Sequence, residues 1–98
     1  MKYGLTASQV SFLETHAFEL LRMAGARVFL FGSRARGTQQ AFSDVDILVQ
    51  SNADLSTLIG NFLEKLEESN FPFKVDIVEA KNLATSYRPS VDRDKVEI

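Results

Sequence analysis

The chain has no cysteine, no tryptophan, one histidine and two prolines among its 98 residues. The missing thiols exclude both a disulfide framework and a thiolate metal site. Any bound metal must therefore rest on oxygen ligands, or on the lone imidazole of His16. There is no block of one charge either. Eleven basic and 13 acidic residues are well mixed, for a formal charge of -2. That balance argues against direct binding along a nucleic-acid backbone. No apolar run approaches the roughly 20 residues that cross a bilayer. The opening Met1-Lys2-Tyr3-Gly4 lacks the apolar core of a signal peptide. A cytoplasmic protein without membrane contact is expected.

The remaining composition is that of an ordinary globular domain, 45% hydrophobic and 24% charged. Its length fits a single domain over residues 1–98, with eight phenylalanines to build the core. A core this small stabilises only marginally. Association with a partner, or with a second copy, is compatible with that size.

Thr6 and Gln9 have the spacing of a capping box at the start of a first helix. Val10, Leu13, Ala17, Leu20, Leu21 and Ala24 follow at helical intervals, and Gly25 is a natural stop. His16 reads as a boundary residue of this helix. Arg27 to Phe31 is apolar on both faces, as a buried strand would be. A glycine turn and a short helix from about Ser33 are expected next, and then a polar loop. Val45 to Gln50 alternates, with Val45, Ile47 and Val49 on one face and Asp44, Asp46 and Leu48 on the other.

Leu55 to about Asn70 carries a second helical stripe, closed by Phe71-Pro72. Phe73 to Val78 alternates like the second strand, with Lys74, Asp76 and Val78 opposite the core face. A strand, a helix and a strand imply a crossover with parallel pairing. In that register Asp46 lies beside Asp76, and Leu48 beside Val78. The tail is less legible. Lys81 to Ser86 suggests a helical turn that Tyr87-Arg88-Pro89 breaks. Tyr87 reads as a packing residue, with stacking on a nucleobase as the alternative.

Asp44 and Asp46 point the same way, and like charges that close raise each other's pKa unless a cation intervenes. With Asp76 on the same inferred face, the set suits Mg²⁺ or Mn²⁺. Two such ions about 4 Å apart clamp the attacking and leaving oxygens of an in-line displacement. The competing account, solvent-exposed turn and edge residues, explains an isolated Asp-x-Asp better than it explains three acids. Gly32 lets backbone approach a ligand, and amides at a helix start favour anionic oxygens. Ser33 adds a hydroxyl, and Arg34 and Arg36 add positive charge. No lysine follows the turn, so it is not a Walker-type loop.

Gly32-Ser33-x-Ala35-Arg36-Gly37, then Ser43-Asp44-x-Asp46, then an acid on the third strand, resembles the nucleotidyltransferase superfamily of DNA polymerase β. Its minimal nucleotidyltransferase branch fits best, with a motif core of about residues 27–79. The resemblance implies an α/β (α+β) fold with a small mixed sheet of three or four strands flanked by helices. The first strand would run antiparallel to the second. It also implies transfer of a nucleoside monophosphate from an NTP, with ATP as substrate. Gly32, Ser33 and Arg36 would bind the triphosphate. Asp44, Asp46 and Asp76 would hold two Mg²⁺ or Mn²⁺ ions, with Asp76 on the acceptor side.

Larger members of the superfamily carry extra domains for the acceptor, and only about twenty residues follow Asp76 here. Minimal members commonly act as antitoxins of a small helical HEPN protein, adenylylating a tyrosine on it. Two alternatives stay open: a non-catalytic antitoxin that masks its partner, and a small-molecule nucleotidyltransferase of the aminoglycoside-modifying kind.

Overall fold

The computed structural model describes residues 2–98, so Met1 of the N-terminal stretch lies outside it. The chain begins with α1 (Ala7–Leu13), capped as the Thr6 and Gln9 spacing predicts. The Thr6 hydroxyl accepts from the Gln9 amide, and the Gln9 side chain accepts from the Thr6 amide. The helix then widens into a π segment (Glu14–Phe18) before continuing as α2 (Glu19–Met23). This widening corrects the expected stripe. A π turn rotates the residues after it relative to a regular helix. Phe18 is consequently buried, whereas Leu20 is 43% exposed. Gly25, at φ 88°, then turns the chain from the helix into the first strand.

The sheet has four strands in the order β3-β2-β1-β4: β1 (Arg27–Phe31), β2 (Val45–Gln50), β3 (Val75–Glu79) and β4 (Val96–Glu97). The pairs β1–β2 and β1–β4 are antiparallel, and β2–β3 is parallel. The mixed sheet expected from the motif is thus present, with its fourth strand. The turn helix α3 (Ser33–Arg36) joins β1 to the loop before β2, and α4 (Ser56–Glu67) is the crossover between β2 and β3. Asp54 stands just ahead of α4 and accepts from the Ser56 amide at 3.0 Å. β3 starts two residues later than the alternation suggested. The Phe73 ring is engaged elsewhere, beneath the Arg34 guanidinium at 4.4 Å.

One face of the sheet is closed by α1, the π segment, α2 and α4. Val45, Ile47 and Val49 are 0–1% exposed there, in one cluster with Leu13, Leu21 and Phe62. The opposite face carries a smaller cluster of Phe29, Leu48, Ala80 and Val91. Its cover comes from the tail, whose reading needs correction. Two 3₁₀ turns (Ala80–Asn82 and Thr85–Tyr87) lead into α5 (Arg88–Asp94). Pro89 lies in the first turn of α5 and does not break a helix. Its missing N–H belongs to a position that has no intrahelical acceptor, and its fixed φ is already helical. No helix among the described residues is long and apolar enough to cross a membrane.

Candidate active site

The end of β1 and the starts of β2 and β3 meet on the tail-covered face. Phe31 pairs with Asp46 across the antiparallel ladder, and Asp46 pairs with Asp76 across the parallel one. The register inferred from alternation is therefore observed, with Leu48 beside Val78 behind the carboxylates. Asp44 stands one residue before β2, which the Val45 amide anchors to the Lys74 carbonyl at 2.8 Å.

Gly32 caps α3 with φ 77° and ψ -159°. Two constraints coincide at this position. The backbone is in a region that side chains rarely adopt, and a Cβ there would overlap the Asp46 carboxylate. The turn and the acid are packed directly against each other. Behind the turn, the Ser33 carbonyl accepts from the Thr38 amide at 2.9 Å, which closes α3 after a single turn.

The two arginines of the motif part ways. Arg34 is 2% exposed and turned inward. Its Nε and Nη2 donate to the Ser43 carbonyl at 3.1 and 2.8 Å, and its Nη1 donates to the carbonyls of Tyr3 and Gly4 at 3.0 and 3.2 Å. Burial lowers its pKa, and the nearby Asp44 acts in the opposite direction. The expectation that Arg34 adds its charge at the turn is thus corrected: it is a clamp that fixes the residue before Asp44. Arg36 stays at the surface, with Nη1 3.0 Å from Asp94 Oδ2 on α5. Sequence reasoning missed both the clamp and Asp94. Their partners lie 9 to 58 positions away, beyond the reach of any local pattern.

Asp46 is a perturbed acid. Burial raises its pKa first, and Asp76 and Asp44 raise it further; Lys74 and Arg36 oppose them. Asp46 therefore feels both of its neighbouring carboxylates. The three acids do not form a closed cage. Among the described residues no three potential ligands converge on a metal position, and Asp76 lies 3.5 Å from Lys74 Nζ. Such an open, all-oxygen, acidic set fits Mg²⁺, which is typically held by one or two carboxylates, waters and substrate phosphates. His16 takes no part. It is half-buried against the Phe12 ring, with centroids 4.8 Å apart.

Comparison with known proteins agrees with this geometry. A family profile described as a nucleotidyltransferase domain matches residues 13–97. The protein adenylyltransferase MntA of Thermococcus cleftensis is 34% identical over 96 residues, covering 96% of this chain and 97% of that one. Relatives in Methanocaldococcus jannaschii and Haemophilus influenzae, named provisionally for the same activity, are 32% and 31% identical. Each alignment takes in 72% of this chain, with 74% of the first relative and 63% of the second. A crystal structure described as a toxin-antitoxin with AMP-PNP shares the fold. Its TM-score is 0.63 at 23% identity, over 95% of this chain and 72% of that one. A glycine turn packed on paired aspartates and a family match across most of its length lead to one conclusion: the chain belongs to the nucleotidyltransferase family of enzymes.

Proposed function

We propose that the domain transfers AMP from ATP to a hydroxyl of a partner protein, and that the partner is a small helical HEPN-type toxin neutralised by the transfer. The observation that carries this reading is the side-by-side register of Asp46 and Asp76 against the Gly32 turn. Triphosphate at Gly32 and Ser33, with Arg36 beside it, puts the α-phosphorus near Asp46. The acceptor oxygen attacks that phosphorus as the bond to the β-phosphate oxygen breaks, and pyrophosphate leaves on the side of the turn. Asp76 takes the acceptor proton. Asp44, Asp46 and Asp76 would offer carboxylate oxygens to divalent metal, which would supply the positive charge that this displacement requires. The Thermococcus relative's name supports protein as the acceptor, and the fold neighbour's description fits a toxin partner and an ATP-like ligand.

The test is incubation with α-labelled ATP and Mg²⁺, with and without the protein encoded beside this one. Label on the neighbour that is lost with Asp76→Ala is the expected result. A stable complex that neutralises without any label would replace transfer with masking. Label on neither protein, without a complex, would return the question to a small-molecule acceptor.

A further inference from the structure

Among the described residues the most exposed large apolar side chain is Phe42, at 82%. It stands in the loop between α3 and β2, two residues before Asp44. Met23, the next at 77%, belongs to α2 on the other side of the sheet. Other phenylalanines have uses that this one lacks. Phe12, Phe71 and Phe73 pack on one another, and Phe29 lies beneath Arg27 and Lys95. Largely in water, Phe42 adds little to the fold.

The backbone under Phe42 is nevertheless fixed. Gln40 and Ser43 close a turn around it: the Ser43 amide donates to the Gln40 carbonyl at 3.3 Å, and the Gln40 amide donates to Ser43 Oγ at 2.8 Å. The Ser43 carbonyl is gripped in turn by the buried Arg34 guanidinium. That guanidinium lies over the Phe73 ring, and the Val45 amide is bound to the Lys74 carbonyl. The turn is therefore fastened to the start of β3, the strand that carries Asp76. A ring presented on a fixed backbone binds at little ordering cost. Phenylalanine is enriched at the centres of protein interfaces, where a few such anchors carry most of the affinity.

We propose that Phe42 is the anchor on which the acceptor protein docks, inserted into an apolar pocket beside the acceptor hydroxyl. The inference rests on the transfer reading above and adds the contact that places the protein substrate. Size decides the occupant. A small acceptor reaches Asp76 without touching the loop. A folded protein covers about 800 Å² of its partner, a disc of about 16 Å radius. Two residues separate Phe42 from Asp44, at most about 7 Å of chain, so a disc laid over the acids takes in the ring. The Asp76 side chain is 41% exposed, open to that approach.

The experiment uses the full chain, Mg²⁺-ATP and the protein encoded beside this one, with the parent, Phe42→Ala and Phe42→Tyr. Thermal melts of the three should coincide, because the side chain supports nothing else. Phe42→Ala should weaken the complex about thirtyfold. The KM for the acceptor protein should rise with it, while kcat and Mg²⁺-ATP affinity stay at the parent values. Phe42→Tyr should behave as the parent. An unchanged dissociation constant and KM in Phe42→Ala overturn the anchor while transfer stands. An equal loss of Mg²⁺-ATP affinity also overturns it, and gives the ring to the nucleotide. A parent complex without label removes transfer, and the dissociation constant alone then decides the anchor. A parent that gives neither label nor complex overturns both readings.

Discussion

Strand β2 places two different surfaces on its two sides. Val45, Ile47 and Val49 face the helices and are almost completely buried. Asp46 and Leu48 alternate with them on the other side, where only Leu48 is fully covered. The helix-covered face is apolar from end to end. The tail-covered face is apolar at one end and acidic and open at the other. A period of two residues lets one strand assign stability to one side and chemistry to the other. The difference also shows in sign. Every group on the closed face gains from burial, whereas burial of Asp46 works against its own charge. The closed face stabilises the fold, and the open one loses stability to keep a charged site.

The sharpest way to test this contrast is Asp46→Asn. Metal-assisted charge stabilisation is worth several kcal/mol, so transfer should fall on the order of a thousandfold. Stability should move the other way. The folded-state pKa of Asp46 is raised, chiefly by burial, so its ionised form is disfavoured in the native state. That cost is present in full above the raised pKa, shrinks as pH falls through it, and is gone below the ordinary carboxylate range near 3.9. Melts in EDTA should therefore show the variant more stable than the parent at pH 7, with the gap closing in acid. A variant that is less stable at pH 7 would remove the claim that this face opposes folding.

Ile47→Ala tests the other side of the same strand. Ile47 is fully buried among helix and strand residues, and such truncations cost about 2–5 kcal/mol. Denaturant unfolding should show that loss, while activity per folded molecule stays near the parent value. Arg34→Met links the two faces. It leaves the Ser43, Tyr3 and Gly4 carbonyls without their shared donor, at about 1–3 kcal/mol for unsatisfied groups. It also loosens the residue before Asp44, so stability and turnover should fall together. A loss of stability with turnover intact would reduce the clamp to a core residue.

Most of this contrast is legible in the sequence. Strict alternation in Val45 to Gln50 and in Phe73 to Val78 reveals both faces and the pairing of Asp46 with Asp76, although the third strand itself starts at Val75. Thr6 and Gln9 announce the first helix because a capping box is a local device. What escapes is non-local or turns on one inserted residue. The π segment shifts Phe18 inward and Leu20 outward with no change in composition to signal it. Arg34 and Arg36 look equivalent in the motif, and only contacts with distant segments separate the clamp from the surface cation. Pro89 is ambiguous in isolation, since proline ends one helix and opens another with equal ease. The roles of Asp44, Asp46 and Asp76 come from chemistry and resemblance, and the labelled-ATP assay tests them.

The smallest expected effect concerns how the tail stays on its face. Glu97 on β4 accepts from Arg27 Nε and Nη2 at 3.0 and 2.8 Å, and its pKa is lowered mainly by that hydrogen bond. Both side chains are largely in solvent, 62% and 48% exposed, where water and salt screen such pairs. Beside the pair, the Ile98 amide donates to the Val28 carbonyl at 3.0 Å and Val91 is buried against the sheet. Backbone pairing and apolar contact, not charge, should therefore hold the tail. Glu97→Gln should leave the melting temperature near the parent value at physiological salt, and any difference should shrink as salt rises. The lowered pKa makes the pair's contribution present above the ordinary glutamate range and lost as pH falls through the folded value. A large loss at pH 7 that persists in high salt would mean that charge secures the tail, and with it the covering of the open face.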